Sequence, residues 1–535
     1  MPDSDALARP DSAALAVADL YLQRMEEGIA AADYVAVSDA ARDGWYEILT
    51  ARGLVARGLL EAMPANELRH HPVLLMMLGL IYNANAHHRA RALRYFATAV
   101  VAARRESHAQ LAPLDRAVIR IAESAALRLL GRPSLGAGAA RAGVRLVDGL
   151  TVAERATARN VSRLYTHAGL TLYYGGHTAE ALDAFTKGLA EAPASAPEEG
   201  FGSLAMLAGI QALEGDLAEA RELVERAREE ESFGPQRTAY AGTFYHLAEA
   251  ILALEETDVE TAQVHLADAA PRRRVNEHWI VVAEIEAITA LVAGRSAEGL
   301  AALDATIGQR GAEGRSLRAR HGLARARGLL HLALGDVHTA TVIAHKDARG
   351  ADATIARARA ALAADKPGTA LRELKALAGS ALPPRQNAEA VALELAVLAR
   401  YSHDLRVPAL TRRLAAILHR TGLRLPLALL PPDDCRRVLD ALTRAGFDAL
   451  VTNAPASLLV PTHPVASLTN RERAVLEALP DTTSVSELAD MLGVSPNTVK
   501  SQLRTLYRKL GVTTREDAVA VALELNLLTR TLQVR

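Results

Sequence analysis

A chain of 535 residues with a formal net charge of −1 at neutral pH is too long for one hydrophobic core and carries no general excess of positive charge. Half of its residues are hydrophobic, which excludes an intrinsically disordered protein, and 4% are aromatic. Because alanine, leucine and arginine dominate the composition, we expect a nearly all-α protein with two or more domains.

The first residues give no sign of export. Residues 1–12 form a polar, slightly acidic tail without the basic start and apolar run of a secretory signal. The most apolar stretch, residues 73–82, has about half the length that a membrane-spanning helix needs. The single cysteine, Cys435, is expected to be a buried small side chain in a reducing compartment. These features predict a cytoplasmic protein without membrane contact.

Residues 13–445 show paired helices separated by short turns rich in Gly, Asp or Asn. The pattern is clearest in residues 160–193, where small residues allow two helices to approach closely and an aromatic residue fills the gap between pairs. These positions are Tyr165, Ala168, Gly169, Ala181, Phe185 and Gly188, followed by Pro193. The segment resembles one tetratricopeptide repeat.

Equivalent small residues recur in the second helix of each later pair, at Ala181, Ala220, Ala262, Gly299, Ala340 and Ala370. Earlier in the chain, Ala92, Phe96 and Ala99 occupy the same roles. Because one pair cannot bury its apolar face alone, we expect the pairs to stack into a tetratricopeptide-like helical solenoid. A solenoid has a concave groove, and the expected occupant is a protein, peptide or small-molecule effector. The alternative is that the array serves as a spacer and supports a dimer.

Signals for catalysis, cofactors and metals are weak. The histidine pairs of the chain have no accompanying cysteine or His-Glu-x-x-His helix, so no metal site is predicted. Gly136 and Gly138 lack a preceding strand and a third glycine, which predicts an interhelix loop. No Gly-Lys dipeptide occurs in the sequence, so a phosphate-binding loop is absent from it. We therefore expect no enzyme activity and no cofactor.

Residues 446–467 are punctuated by proline and lack helical periodicity, which predicts a linker before a C-terminal domain at residues 468–535. The start and stop signals of four helices follow. Capping boxes are predicted for Thr469 with Glu472 and for Ser484 with Glu487. The third helix is expected at residues 496–510 and the fourth from Thr513 or Thr514 to about Leu528. The signals of the third helix are a turn at Gly493, the N-cap Ser495, Pro496 at the first helical position and Gly511 after the end.

The third helix has two different faces. Val499, Leu503, Leu506 and Leu510 form one stripe that is predicted to pack inward. The opposite side gathers amide, hydroxyl and basic groups at Asn497, Lys500, Ser501, Arg504 and Arg508, and residues 494–512 contain four basic residues but no acidic one. Because the whole C-terminal segment has nine basic and eight acidic residues, positive charge is concentrated on this helix. The pattern predicts a helix-turn-helix whose second helix enters the major groove of double-stranded DNA.

The C-terminal segment resembles the LuxR-type DNA-binding domain. Its signature positions are Leu468, Thr469, Arg471, Glu472, Val475, Leu476, Glu487, Ala489, Leu492, Ser495, Thr498, Val499, Lys500, Lys509, Leu510, Arg515 and Ala518. The sequence departs from the common pattern at Thr482, Val485 and Gln502. Residues 58–84 and the degenerate repeats are similar to the sensor arm of the MalT-like LuxR regulators. That resemblance implies a helical sensor and a DNA reader, here without the N-terminal ATPase.

Position on the third helix separates the expected DNA contacts. Asn497, Lys500, Ser501 and Arg504 are predicted to reach base edges, since the first half of a recognition helix lies deepest in the groove. Phosphate contacts are predicted for Thr498, Gln502, Thr505, Arg508 and Lys509. On the last helix, Ala518, Val521, Ala522 and Leu525 form one apolar stripe. A second stripe, Val519, Leu523 and Leu527, predicts a homodimer interface on DNA.

Together these features predict a sequence-specific, DNA-binding transcriptional regulator with a helical-repeat domain for sensing or docking. The alternative is a protein-binding adaptor whose helix-turn-helix no longer discriminates DNA sequences.

Overall fold

The computed structural model describes residues 12–83, 88–105, 111–269, 277–401, 404–460, 468, 470–510, 512–524 and 527–528. All regular secondary structure in these ranges is helical, and they contain no β-strand. The expectation of an all-α protein is therefore confirmed.

The chain divides into two compact units. The first contains Met1–Ile210, Ala220–His246 and Asp268–Glu277. The second contains Gln211–Glu219, Leu247–Ala267 and His278–Arg535. The first eleven helices in the described part of the chain lie wholly in the first unit: α1 (Ser12–Ala30), α2 (Tyr34–Ala51), α3 (Gly53–Ala62), α4 (Ala65–Leu68), α5 (Pro72–Asn83), α6 (Arg89–Ala103), α7 (Pro113–Leu129), α8 (Pro133–Asp148), α9 (Val152–Thr157), α10 (Val161–Tyr174) and α11 (Thr178–Ala190).

The next helices lie where the chain passes between the units: α12 (Phe201–Glu214), α13 (Leu217–Glu229), α14 (Gly234–Arg237), α15 (Thr243–Glu255) and α16 (Val259–Ala269). The second unit continues with α17 (Trp279–Val292), α18 (Ser296–Gln309), α19 (Leu317–Ala333), α20 (Val337–Lys346), α21 (Gly350–Ala363), α22 (Pro367–Leu374), α23 (Pro384–Leu398), α24 (Val407–Thr421), α25 (Leu425–Ala428), α26 (Pro432–Arg444) and α27 (Asp448–Thr452). Its last helices are α28 (Asn470–Ala478), α29 (Val485–Leu492), α30 (Pro496–Leu510) and α31 (Arg515–Glu524).

The small residues expected in the helix pairs are buried. Each lies in the second helix of a pair, and the helices concerned are α11, α13, α16, α18, α20 and α22. In the pair of α10 and α11, a Cβ atom on Gly169 would lie 2.6 Å from the Phe185 ring, so this position requires glycine. Close packing within the pairs is thus observed, while their stacking into a solenoid stays a prediction.

The prediction of an interhelix loop at Gly136 and Gly138 is wrong, because both residues lie inside α8. A Cβ atom on Gly136 would come within 2.9 Å of the Ser124 carbonyl oxygen. Glycine at this position therefore serves close helix packing, a tertiary requirement that local sequence does not reveal.

The structure also differs from the predicted linker. Part of the predicted linker forms helix α27. The chain after that helix contacts the last residue of α25 and the residues that follow it. The Ser457 hydroxyl donates to the Leu430 carbonyl oxygen at 2.7 Å, and the Leu458 N–H donates to the Ala428 carbonyl oxygen at 2.8 Å. Residues 461–467 lie outside the described part of the chain. The second compact unit includes both α17–α27 and α28–α31, so the predicted domain boundary at residue 468 stays a prediction about independent folding.

The most apolar stretch of the chain and its single cysteine both lie in helices. Residues 73–82 form most of α5, and none of the helices in the described ranges is long and apolar enough to cross a bilayer. Cys435 is buried in α26, as expected, and burial raises the pKa of its thiol.

Candidate nucleic-acid interface

Local hydrogen bonds define the start of α29. The Ser484 hydroxyl oxygen accepts the N–H of Glu487 at 3.1 Å, which confirms Ser484 as the N-cap. The Glu487 carboxylate reaches one residue further back than predicted and accepts the Thr483 N–H at 2.6 Å. Backbone and side-chain hydrogen bonds from Thr483 hold the pKa of this carboxyl below its usual value.

A tight turn leads from α29 to α30. Gly493 has a φ of +64°, a left-handed conformation that glycine adopts without strain. Ser495 caps α30, since its hydroxyl oxygen accepts the Thr498 N–H at 3.2 Å. Pro496 is the first helical residue, where its missing N–H has no intrahelical partner to lose. The predicted bounds of this helix are confirmed.

The inner side of α30 completes a small hydrophobic core. Val499, Leu503, Leu506 and Leu510 are all buried, as their spacing predicts. They pack with residues of α28, α29 and α31, among them Val475, Leu476, Leu488, Ala518 and Ala522. This core fixes the rotation of α30 about its own axis and therefore decides which residues face solvent.

The outer side of α30 presents the predicted base-contacting residues, Asn497, Lys500, Ser501 and Arg504, which are all exposed. From the first to the last, the helix rises about 10 Å. Thr498 is exposed as well, whereas Gln502 and Thr505 are partly exposed at the sides of this face. The Arg508 side chain, Gly511 and Thr469 lie outside the described residues.

Lys509, for which a phosphate contact is predicted, has a partner inside the domain. Its ammonium group lies 2.7 Å from a carboxylate oxygen of Glu472 on α28, and the Glu472 side chain is buried. The pair joins the end of the recognition helix to the first helix of the domain. This ion pair gives Lys509 a role in the stability of the domain, and its contact with a phosphate stays a prediction.

Replacing Lys509 by alanine is expected to lower the free energy of unfolding of the C-terminal domain by about 1–3 kcal/mol, because the buried Glu472 carboxylate loses its cationic partner. Urea denaturation measures this change. The control Lys500→Ala removes an exposed lysine from the same helix and should change the stability by less than about 0.5 kcal/mol. Unchanged stability in Lys509→Ala, together with a salt dependence of DNA binding that is shallower by about one unit, would support the phosphate contact instead.

Arg515, the first residue of α31, is hydrogen-bonded to Thr482, which follows α28. An Arg515 Nη2 hydrogen bond to the Thr482 hydroxyl oxygen spans 2.6 Å, and the same nitrogen donates to the carbonyl oxygens of Leu479 and Thr482. Thr482 is one of the positions at which the sequence departs from the common LuxR pattern. Here its side chain has a structural role at the end of α28.

The last helix begins after the N-cap Thr514, whose hydroxyl oxygen accepts the Asp517 N–H at 3.0 Å. Its described part ends at Glu524, and because Leu527 and Leu528 lie in a bend, the helix does not extend to the predicted Leu528. On this helix Ala518 and Ala522 are buried in the core. The proposed dimer stripe, Val519, Leu523 and Leu527, packs against the same core and remains partly exposed. Leu525 lies outside the described residues.

Comparison with known proteins agrees with this geometry. The sequence profile "Bacterial regulatory proteins, luxR family" matches residues 466–522. The C-terminal helices form a LuxR-family helix-turn-helix domain. In the described residues, no group of three or more His, Cys, Asp or Glu side chains is placed to hold a metal ion.

Three curated relatives resemble this LuxR-family domain. The probable transcriptional regulatory protein SgaR of Hyphomicrobium methylovorum is 46% identical over 63 residues, which are 12% of this chain and 30% of the relative. The transcriptional regulatory protein YdfI of Bacillus subtilis (strain 168) is 42% identical over 62 residues, 12% of this chain and 29% of the relative. A probable transcriptional regulatory protein NarL of Mycobacterium tuberculosis is 46% identical over 66 residues, 12% and 31% of the two chains. The chain thus spans about 30% of the length of these relatives.

Proposed function

We propose that the protein is a sequence-specific DNA-binding transcriptional regulator that acts in the cytoplasm. The observation that carries the proposal is the exposed face of α30, where Asn497, Lys500, Ser501 and Arg504 lie together on the helix that follows the tight turn. The names of the three relatives, all transcriptional regulatory proteins, support it.

The chemistry of this face suits the major groove. Lysine and arginine donate to guanine O6 and N7, and asparagine forms two hydrogen bonds with adenine. The side chains of Thr498, Gln502 and Thr505, together with the N–H groups at the start of α30, are proposed to contact phosphates. An Arg508 contact to phosphate remains part of the proposal on the basis of sequence.

Replacing Arg504 by alanine tests the assignment to base reading. We expect a loss of about 1–3 kcal/mol in binding to the preferred operator and a relaxed preference at one base position, because one bidentate contact is removed. Titration of operator and scrambled duplexes at several salt concentrations, after selection of the operator from random DNA, measures both effects. Arg412→Ala, at an exposed position of α24, should bind both duplexes like the wild type.

Two results would contradict the proposal in different ways. An equal loss of affinity for both duplexes would mean that Arg504 contacts the backbone. A wild-type protein that selects no motif from random DNA would support the adaptor alternative, in which the helix-turn-helix does not discriminate sequences.

We also propose that the protein binds DNA as a dimer. The partial exposure of Val519, Leu523 and Leu527 supports this, since apolar residues at one helix face often form a subunit interface. Two recognition helices would then occupy half-sites about 34 Å apart, and the stoichiometry of the same operator complex checks this.

A sensing or docking role is proposed for the helix pairs. Its support is their repeated construction, with a small buried residue in the second helix of each pair from α11 to α22. Such pairs offer successive surfaces to one extended partner.

A further inference from the structure

Arg473 of α28 connects the DNA-binding domain to the helix pair of α19 and α20. Its Nη2 atom donates a hydrogen bond of 2.7 Å to Asp336 Oδ2 and one of 3.1 Å to the Thr339 hydroxyl oxygen. Both acceptors lie at the start of α20, within the same compact unit as the domain. The two ends of this contact are 137 residues apart in the chain.

The Asp336 carboxylate has other partners besides Arg473. Its Oδ1 atom caps α20 by accepting the Thr339 N–H at 3.1 Å, and His331 Nδ1 of α19 lies 3.4 Å from Oδ2. Burial raises the pKa of this carboxyl, but hydrogen bonds from His331 and Thr339 and the charge of Arg473 outweigh burial and hold the pKa well below its usual range. The carboxylate is therefore charged at physiological pH, and its side chain is only 4% exposed. A buried anion of this kind favours a cationic partner.

The docked state is also imperfect. Arg473 Nε is buried and has no hydrogen-bond partner among the described residues, while Nη2 of the same guanidinium makes two hydrogen bonds. A buried N–H without an acceptor opposes docking, because the group loses its hydrogen bond to water and gains none in the protein. A favourable ion pair combined with an unsatisfied donor suits a contact that forms and opens, since neither state is strongly preferred.

We propose that the start of α20 is a docking surface for this chain's own DNA-binding domain and that the Arg473–Asp336 pair holds the DNA-free protein in a latched state. The inhibitory part of this inference rests on the proposed function. An operator sets the orientation of two recognition helices relative to each other, whereas the latch sets the orientation of one domain relative to α20. The recognition face of α30 is exposed in the latched state, so the latch acts on the orientation of the domain and not by covering that face. In this proposal the latched orientation differs from the one an operator requires, so that DNA binding opens the latch and the latch lowers the affinity for DNA.

The side chains around the Asp336 carboxylate come from two helices that pack on each other, which gives the helix pair control over the latch. His331 belongs to α19, while Asp336 and Thr339 belong to the turn and start of α20. A partner that shifts α19 against α20 moves His331 relative to the Asp336 carboxylate and so changes the site that Arg473 meets. Binding at the helix pairs is thereby coupled to binding of DNA.

Asp336→Asn is the sharpest variant, because asparagine keeps the N-cap of α20 and removes the charge that Arg473 meets. We expect the full-length variant to bind the operator about fivefold more tightly than the wild type, the lower end of common coupling strengths. Asp258→Asn is the matched control. Asp258 caps α16 through the Thr261 N–H at 3.0 Å, with threonine at the same spacing, and its carboxylate is exposed.

Arg473→Ala and the double variant separate the latch from a direct DNA contact. If the latch exists, Arg473→Ala also tightens binding, and the double variant binds no more tightly than either single variant, because one break opens the latch. Weaker binding by Arg473→Ala with no change in Asp336→Asn would overturn the proposal and make Arg473 a phosphate contact. No change in any variant would overturn it as well.

Docking can be measured without reference to DNA affinity. The double substitution His338→Cys and Glu477→Cys places one thiol on each side of the contact, each within about one helical turn of it, and a short bismaleimide should join the two thiols in the DNA-free protein. The yield should fall with Asp336→Asn and with added operator, but not with Asp258→Asn. Absence of cross-linking in the protein that carries His338→Cys and Glu477→Cys alone would overturn the docking surface. A protein that cross-links but selects no DNA motif would keep the docking surface and contradict the proposed function alone.

Discussion

Replacing Leu506 by alanine is expected to unfold the C-terminal domain and abolish DNA binding while the helix pairs stay folded. Leu506 is 0% exposed and lies in the core that joins α30 to the other three helices of the domain. A Leu→Ala change at such a site costs about 2–5 kcal/mol, since it removes buried apolar surface and leaves a cavity. A domain of this size has a total stability on the order of 5 kcal/mol, so the loss is comparable with the whole.

Thermal unfolding followed by circular dichroism measures this change, together with operator binding. The expected result is the loss of a minor transition, with the main transition of the helix pairs unchanged. The control Met491→Ala shortens a side chain of α29 that is 54% exposed and should leave both transitions in place. A variant at Leu506 that melts and binds DNA like the wild type would contradict the assigned core. A single transition that shifts as a whole would show that the predicted boundary at residue 468 does not separate two folding units.

Replacing Glu255 by alanine is expected to lower the free energy of unfolding of the second unit by about 3–5 kcal/mol. The side chain is fully buried, and its Oε1 atom accepts a hydrogen bond of 2.5 Å from Arg385. Its Oε2 atom accepts the N–H groups of Arg424 and Leu425 at 2.7 and 2.9 Å. Removing the carboxylate leaves a largely buried guanidinium without this counterion and two N–H groups without their acceptor.

The neighbouring residue supplies the control for this experiment. Glu256 pairs with the Arg424 side chain at the surface, where an ion pair contributes about 0–1 kcal/mol. Urea denaturation of Glu255→Ala and Glu256→Ala should therefore give clearly different midpoints. Equal losses for the two variants would contradict the assignment of Glu255 as a buried connection between α15 and the later helices of its unit.

Local sequence signals were sufficient for the helices that form the candidate interface. Ser495, Pro496 and the glycine at 493 act within a few residues of the helix ends, so the bounds of α30 follow from them without knowledge of the rest of the chain. The exposed face followed in the same way, because the rotation of a helix is set by its apolar stripe. Periodic small residues likewise placed the second helices of the pairs correctly.

Local patterns failed where a residue served a distant partner. Gly136 was interpreted as part of a loop, although it lies in α8 opposite Ser124. A glycine that permits close helix packing has the same local appearance as a glycine in a turn. Helix α27 inside the predicted linker was missed for another reason: it is short, and the prolines that follow it suggest irregular structure.

The sequence by itself determined the all-α class, the position of the recognition helix and the face that it exposes, because helix ends and helix faces depend on residues a few positions apart. Only the tertiary structure decided the partners of the charged side chains. Glu472 with Lys509, Asp336 with Arg473 and Glu255 with Arg385 are separated by 37, 137 and 130 residues. Arginine and lysine side chains are long and flexible, so the residues next to them in sequence do not determine which acidic side chain each one contacts. Packing of distant helices selects one of them, and that selection placed Lys509 beside Glu472 and Arg473 beside Asp336.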